Sequence, residues 1–140
     1  MSLPESNSQP GSGCDVYKRR ILLVDDEESL TMLLAMLLEQ TDTYIVRVEN
    51  SAIKAISAAE EFHPDLILMD IAMPSLDGGE LASRIKANAA LQGIPIVFLT
   101  GTVTKEEVAE HEGYIGGMRF LAKPVRPSDL IDCVAQQLAA

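Results

Sequence analysis

The residues that could do chemistry sit at the ends of short apolar runs. Ile21–Val24 leads into Asp25, Asp26, Glu27 and Glu28; Leu66–Met69 leads into Asp70; Ile96–Leu99 leads into Thr100; Met118–Leu121 leads, through Ala122, into Lys123. Apolar runs of this length, closed by acid or flanked by proline, read as strands buried on both faces of a parallel sheet. Carboxyl ends of neighbouring parallel strands share one edge, and ligand chemistry sits just beyond that edge. Residues far apart in the chain should therefore converge there. Three carboxylates in one pocket repel one another and, left alone, would raise at least one pKa. A hard divalent cation with oxygen ligands removes the conflict, and Mg²⁺ suits it because it takes a few carboxylates and keeps several waters. With Lys123 opposite, the pocket is a cradle for a doubly charged phosphoryl group, and Thr100 can donate a hydrogen bond to one of its oxygens. Asp70 is then placed to attack phosphorus and form an acyl phosphate. The metal and Lys123 would stabilise charge on the equatorial oxygens, which is most of what phosphoryl transfer asks of a protein.

Each piece has a plainer explanation when taken singly. A strand-end Asp is often a solvated loop residue, Thr100 could cap a helix, and Lys123 could be a surface charge. What points to a site is the set, spread over four strand ends. Lys123-Pro124 sharpens it, since an X-Pro bond can be cis and aim the lysine inward.

The elements that must position these residues follow from the periodicity. Leu30, Leu33, Leu34, Leu37 and Leu38 have helical spacing, with Glu27 and Glu28 near the helix start, where acids favour the dipole. The helix should stop near Gln40 to Asp42. Tyr44 to Val48 alternates as an edge strand would. Asn50 or Ser51 can cap a helix carrying Ile53, Ile56, Ala59 and Phe62. Asp77 and Gly78 predict a turn and cap before a stripe of Leu81, Ile85 and Ala89. Thr104 to Glu112 reads as a short polar helix capped by Thr104. Gly113, Gly116 and Gly117 loosen the link to the fifth strand, and Pro127 starts a last helix with Leu130, Ile131, Val134 and Leu138. Five strands alternating with five helices imply an α/β fold, a doubly wound parallel sheet with right-handed crossovers.

Composition bounds the rest. The chain has 140 residues, 47% of them hydrophobic, enough for one domain with an ordinary core. Residues 1–18 are rich in Ser, Pro and Gly and read as a disordered leader, leaving 19–140 as the domain. No apolar run approaches the roughly 20 residues of a membrane span, and no secretory signal opens the chain. Cys14 and Cys133 make no disulfide framework, which fits two unpaired thiols in a cytoplasmic protein. The net charge of -10 disfavours direct binding to nucleic acid or an anionic membrane, both of which need a basic face. His63 and His111 read as surface or boundary residues.

Five motifs together are highly specific: Leu-Val-Asp-Asp-Glu (23–27), Asp-Leu-Ile-Leu-Met-Asp-Ile-Ala-Met-Pro (65–74), Leu-Asp-Gly-Gly (76–79), Phe-Leu-Thr-Gly (98–101) and Ala-Lys-Pro (122–124). Over roughly residues 19 to 138 the chain resembles the receiver domain of two-component response regulators, of the chemotaxis-regulator kind. The resemblance implies the flavodoxin-like strand order 2-1-3-4-5. It implies that Asp70 is the phosphoacceptor, and that Asp26, Asp70 and the backbone carbonyl of Ala72 bind Mg²⁺, with Asp25 close by and acting through water. It makes Thr100 the switch hydroxyl, Phe120 the switch aromatic and Lys123 the phosphoryl-binding lysine. Phe120 carries no hydroxyl, so its inward and outward positions would differ by packing alone. Ala72 and Thr102 flank the path of a hydrolytic water.

The same resemblance names the donor as a phosphohistidine on a sensor histidine kinase or a phosphotransfer protein. The signal would pass to a downstream protein through the fourth helix, fifth strand and fifth helix, and a phosphorylation-dependent homodimer is among the partners it admits. Such a chain is no enzyme beyond its own phosphorylation and dephosphorylation. The alternative is a receiver-like protein-binding module that works without phosphorylation; the intact set of Asp25, Asp26, Asp70, Thr100 and Lys123 argues against it. A flavodoxin-like flavin binder needs a phosphate loop after the first strand, where Asp25 to Glu28 would repel a phosphate. A phosphatase of the haloacid dehalogenase type needs a second Asp two residues after the nucleophile, where this chain has Ala72.

Overall fold

Strands that are apolar on both sides have to be covered on both sides, and that requirement builds the molecule. The computed structural model describes residues 18–73, 78–101, 114–115 and 118–139. The expectations for the leader through residue 17, for Leu76 and Asp77, for Thr102, for the helix Thr104–Glu112 with His111, and for Gly113, Gly116 and Gly117 lie outside those residues. The elements run β1 (Arg19–Val24), α1 (Glu28–Glu39), β2 (Tyr44–Glu49), a 3₁₀ turn (Ala52–Lys54), α2 (Ala55–Phe62), β3 (Leu66–Asp70), α3 (Gly78–Ala87), β4 (Ile96–Thr100), β5 (Tyr114–Ile115), β6 (Met118–Ala122) and α4 (Pro127–Leu138). The sheet order is β2-β1-β3-β4-β6-β5. Its first five members are parallel, which is the expected 2-1-3-4-5 order with β6 as the fifth parallel strand.

Alternation along each central strand feeds two cores. Leu22, Val24, Ile67, Met69 and Phe98 face one side, where Ala58 and Ala59 of α2 and Leu81 and Ile85 of α3 cover them. Ile21, Leu23, Leu68, Val97 and Leu99 face the other, under Leu34 and Leu38 of α1 and Leu130 and Val134 of α4. Each of the larger of these side chains contributes roughly 1.5–3 kcal/mol by leaving water. Cys133 is a fully buried member of the second core.

Register then decides which chemical groups meet. Val24 pairs with Met69, Asp70 with Leu99 and Thr100 with Ala122. Asp25 therefore lies level with Asp70, Thr100 one residue beyond it, and Lys123 one residue beyond the partner of Thr100. The strand ends are in step, so the acids and the lysine share one edge.

The helices depart from the expected stripes in ways that have physical reasons. In α1, Leu34 and Leu38 are buried and Leu30 and Leu37 partly so, but Leu33 is exposed and Thr31 is buried. The hydroxyl of Thr31 is tolerated there because it donates to the Glu28 carbonyl at 3.0 Å. The next helix begins as a 3₁₀ turn, and Ile53 is exposed. Its buried face is made of Ala52, Ala55, Ala58 and Ala59, small side chains that let the helix lie close to the sheet. Neither Asn50 nor Ser51 caps it, since the 3₁₀ turn carries no side-chain cap. Ala89 is exposed and lies past the end of α3; Ala82 and Leu91 are buried in its place. The chain turns there around Asn88, whose carbonyl accepts the amides of Leu91 and Gln92. His63, with φ 53°, ends α2 and is exposed, as a boundary residue should be. Lys18, counted with the leader, bonds Asp42 at 2.8 Å.

One strand was not foreseen. Tyr114–Ile115 pairs antiparallel with β6, Ile115 opposite Met118 and Tyr114 opposite Arg119. Two residues are too short to show a period, although a Gly-Gly pair between apolar pairs is a hairpin signal.

Gly78 opens α3 against the end of β3. Its amide donates to the Ile71 carbonyl at 2.7 Å. A Cβ at this position would stand 2.5 Å from the Asp70 carbonyl oxygen and 2.6 Å from the Ile71 Cα, both backbone atoms. Ala in a helix is ordinarily better than Gly by about 1 kcal/mol. Here Gly78→Ala should instead destabilise by about 1–3 kcal/mol, because backbone must move. Gly93→Ala, where a Cβ meets nothing within 4 Å, should change stability by less than about 0.5 kcal/mol. Urea unfolding of both variants checks this, and equal effects would contradict it.

Candidate functional site

The β1–α1 loop, the end of β3 and the residue after β6 supply the site. Asp25 is fully buried; its Oδ1 accepts the Glu27 amide at 3.0 Å, which bends the loop into α1. Its Oδ2 meets the Lys123 ammonium at 2.9 Å, and the same Nζ stands 3.5 Å from Oδ1 of Asp70. Asp70 is 5% exposed, and its Oδ1 accepts the amide of Ala72 at 3.3 Å. Asp26 is open to solvent. One carboxylate oxygen from each of Asp25, Asp26 and Asp70 lies within 4.8 Å of the others. Lys123-Pro124 is a cis peptide bond.

Of the residues singled out in the sequence, the fold therefore brings Asp25, Asp26, Asp70 and Lys123 into one cluster. Thr100 ends β4 beside it, 1% exposed, and its carbonyl accepts the Lys123 amide at 2.7 Å. Ala72 follows in an exposed turn. Phe120 does not join the cluster. It lies one layer below, buried, with its ring 5.3 Å from that of Phe98 at an angle of 34°. Sequence reasoning missed Asn50, whose side chain bonds the Asp25 carbonyl at 2.7 Å instead of capping a helix. The available signal was a polar residue directly after an edge strand, level with the acidic loop.

The electrostatics follow from this crowding. Burial pushes the Asp70 carboxyl above its ordinary value; the Ala72 amide pulls it down, the Asp25 charge adds to the rise, and Lys123 opposes it. For Lys123, burial alone would lower the pKa, but Asp25 first and Asp70 second outweigh it and hold the ammonium above its ordinary value. Three oxygen donors this close, one of them open to solvent where waters can complete a shell, fit a small hard divalent cation.

These shifts carry a sign for stability. An acid whose pKa is raised on folding costs stability while ionised, and the cost fades as pH falls through the folded value toward the unfolded one. Asp70→Asn removes that charge at nearly constant volume. It should raise the melting temperature by a few degrees in EDTA near neutral pH, with the gain gone by about pH 4. Thermal melts across that range check the sign; an Asn variant that melts lower near neutral pH would contradict it.

The comparisons with known proteins agree with this geometry. The family model described as the response regulator receiver domain matches residues 21–135. The transcriptional regulatory protein PdtaR of Mycobacterium tuberculosis is 36% identical over 116 residues, covering 83% of this chain and 55% of that protein. The DNA-binding response regulator MtrA of Mycobacterium bovis is 33% identical over 127 residues, covering 89% of this chain and 52% of its own length. The chain thus spans about half the length of these curated relatives. Among solved structures, a response regulator from Desulfuromonas acetoxidans superposes with a TM-score of 0.72 at 30% identity, covering 86% of this chain and 97% of that one. The receiver domain of a sensor histidine kinase from Pseudomonas aeruginosa, described with a magnesium ion coordinated in its active-site cleft, gives 0.73 at 26% identity, covering 88% and 99%. An acidic edge on a sheet of this order, matched by a family model over most of its length, has one classification: the chain belongs to the response regulator receiver domain family.

Proposed function

We propose that this chain is a phosphoacceptor: it takes a phosphoryl group from a phosphohistidine onto Asp70 and passes the change to a partner protein. The observation that carries the reading is the environment of Asp70. Its carboxylate is buried at the end of the central strand, gathered with those of Asp25 and Asp26 and within reach of the Lys123 ammonium. One oxygen of Asp70 attacks phosphorus; the P–N bond breaks and its electron pair returns to the imidazole. Asp26, Asp70 and the Ala72 carbonyl would hold Mg²⁺, with Asp25 acting through water. When bound, the ion neutralises charge on the phosphoryl oxygens. Lys123 pairs with one phosphoryl oxygen, and the Thr100 hydroxyl donates to another. The donor is a sensor histidine kinase or a phosphotransfer protein. Met32, Leu33 and Met36 stand exposed on α1, beside the acidic loop, an apolar patch suited to such a partner. The net charge of -10 disfavours direct binding to nucleic acid, and among the described residues no helix is long and apolar enough to cross a membrane.

The output follows from Thr100 and Phe120. Movement of Thr100 toward the phosphoryl group changes the packing beneath it, where Phe120 lies against Phe98, and the surface formed by β6 and α4 repacks. This is a population shift biased by a local charge, and a partner or a second copy of the chain reads it.

Intact-protein mass after incubation with acetyl phosphate checks the reading. The expected result is one added phosphoryl group that needs Mg²⁺ and is absent from Asp70→Asn, with the Phe120 ring resonances displaced in the phosphorylated sample. No adduct on the wild-type chain would overturn it and favour a binding module that works without phosphorylation.

A further inference from the structure

The peptide that joins Asp25 to Asp26 is held from outside its own loop. Asn50, the first residue after β2, donates through Nδ2 to the Asp25 carbonyl oxygen at 2.7 Å and to the Thr31 hydroxyl oxygen at 3.0 Å. A side-chain amide nitrogen carries two protons, so both are committed. The buried Thr31 hydroxyl passes its own proton to the Glu28 carbonyl at 3.0 Å. The end of β2, the acidic loop and the first turn of α1 are thus tied by one chain of hydrogen bonds. The Asp25 amide, bonded to the Glu49 carbonyl at 3.2 Å, closes the frame from the other side.

We propose that Asn50 is the positioning residue of the acidic loop: it fixes the plane of the Asp25–Asp26 peptide and, through it, the direction of the Asp26 carboxylate toward a divalent cation. The inference rests on the reading above that Asp25, Asp26 and Asp70 hold Mg²⁺. Asn50 itself touches no ligand. Asp25 is fixed by the Glu27 amide and by Lys123, and Asp70 by the Ala72 amide and Lys123. Asp26 is exposed, so its direction depends on the backbone that carries it. Without the Asn50 donor the Asp25 carbonyl loses its partner and the peptide is free to rotate, which swings Asp26 out of line with the other two acids.

Ion selectivity separates this role from a merely structural one. Mg²⁺ demands near-octahedral geometry at about 2.0–2.1 Å, whereas Ca²⁺ accepts looser arrangements at about 2.3–2.6 Å. A misdirected Asp26 should therefore weaken Mg²⁺ more than Ca²⁺, while general loosening of the fold should weaken both alike. Calorimetric titration of the whole chain with each ion, beside thermal melts, makes the comparison. Asn50→Ala and Asn50→Leu should lower Mg²⁺ affinity about tenfold, the low end for loss of a partner that orients a metal ligand, and Ca²⁺ affinity by no more than about threefold. Thr31→Val, which cuts the same chain one bond further on, should give a smaller loss in the same direction, and Thr31→Ser should restore wild-type affinity. Folded Asn50 variants that bind Mg²⁺ within twofold of wild type, or that lose both ions equally, would overturn the inference. Where the Asn50 variants fail to melt cooperatively, the Thr31 pair decides, and equal Mg²⁺ affinity for Val and Ser would overturn it. A wild-type chain that binds neither ion would remove the proposed function and this inference together; intact wild-type binding with unchanged variants would remove this inference alone.

Discussion

Three carboxylates and the Lys123 ammonium share one edge of a parallel sheet, and most of the structure can be understood as what holds them there. Like charges at this separation favour moving apart or taking up protons. Moving apart is closed to Asp25, which is buried, accepts the Glu27 amide on one oxygen and is ion-paired with Lys123 through the other, and to Asp70, which ends a strand with neighbours on both sides; the crowding instead helps to hold the Asp70 carboxyl above its ordinary value. Lys123 offsets part of the repulsion, and its own burial is tolerable because two of the acids flank it. The remaining charge is an attraction for a cation, and for a group that brings its own negative charge together with one. A stable apolar sheet is thus used to keep a polar cluster in an arrangement it would not adopt in water.

That dependence runs through register. A slip of one residue would turn each side chain to the other face and separate Asp25 from Asp70. Two independent cores resist such a slip, because each strand alternates between them. Leu68 and Leu99 face α1 and α4, while Met69 and Phe98 face α2 and α3. The loops contribute too. Gly78 lets α3 begin against the Asp70 carbonyl, and Asn50 ties the acidic loop to the end of β2.

Much of this was legible in the residues. Buried strands announce themselves by apolar runs, and the acids, Thr100 and Lys123 stand at their ends, so the convergence of Asp25, Asp26, Asp70 and Lys123 followed from parallel strands sharing one edge, while the strand order came from the family resemblance. Helix faces were less legible, because size and apolarity were taken as the guide to burial. Leu33 and Ile53 are large and lie outside; Ala55 and Ala58 are small and lie inside beside the expected Ala59, since close approach of α2 to the sheet needs short side chains. Asn50 was misjudged for a related reason, and its partner Thr31 was not singled out. Local rules predict a cap from a polar side chain followed by a helix, whereas these two bond to each other across elements distant in the chain, and that partner depends on the tertiary fold. Tyr114–Ile115 has too few residues for any pattern to show.

The most direct test of the account is the position of a bound ion. Crystals of the chain grown with Mn²⁺, which scatters anomalously and has oxygen preferences like those of Mg²⁺, should show one strong anomalous peak between the carboxylates of Asp26 and Asp70. Lys123 should remain within hydrogen-bonding reach of Asp25 or Asp70. A peak elsewhere on the surface, or an acidic edge free of metal at saturating Mn²⁺, would contradict the claim that the sheet gathers these acids to hold a cation.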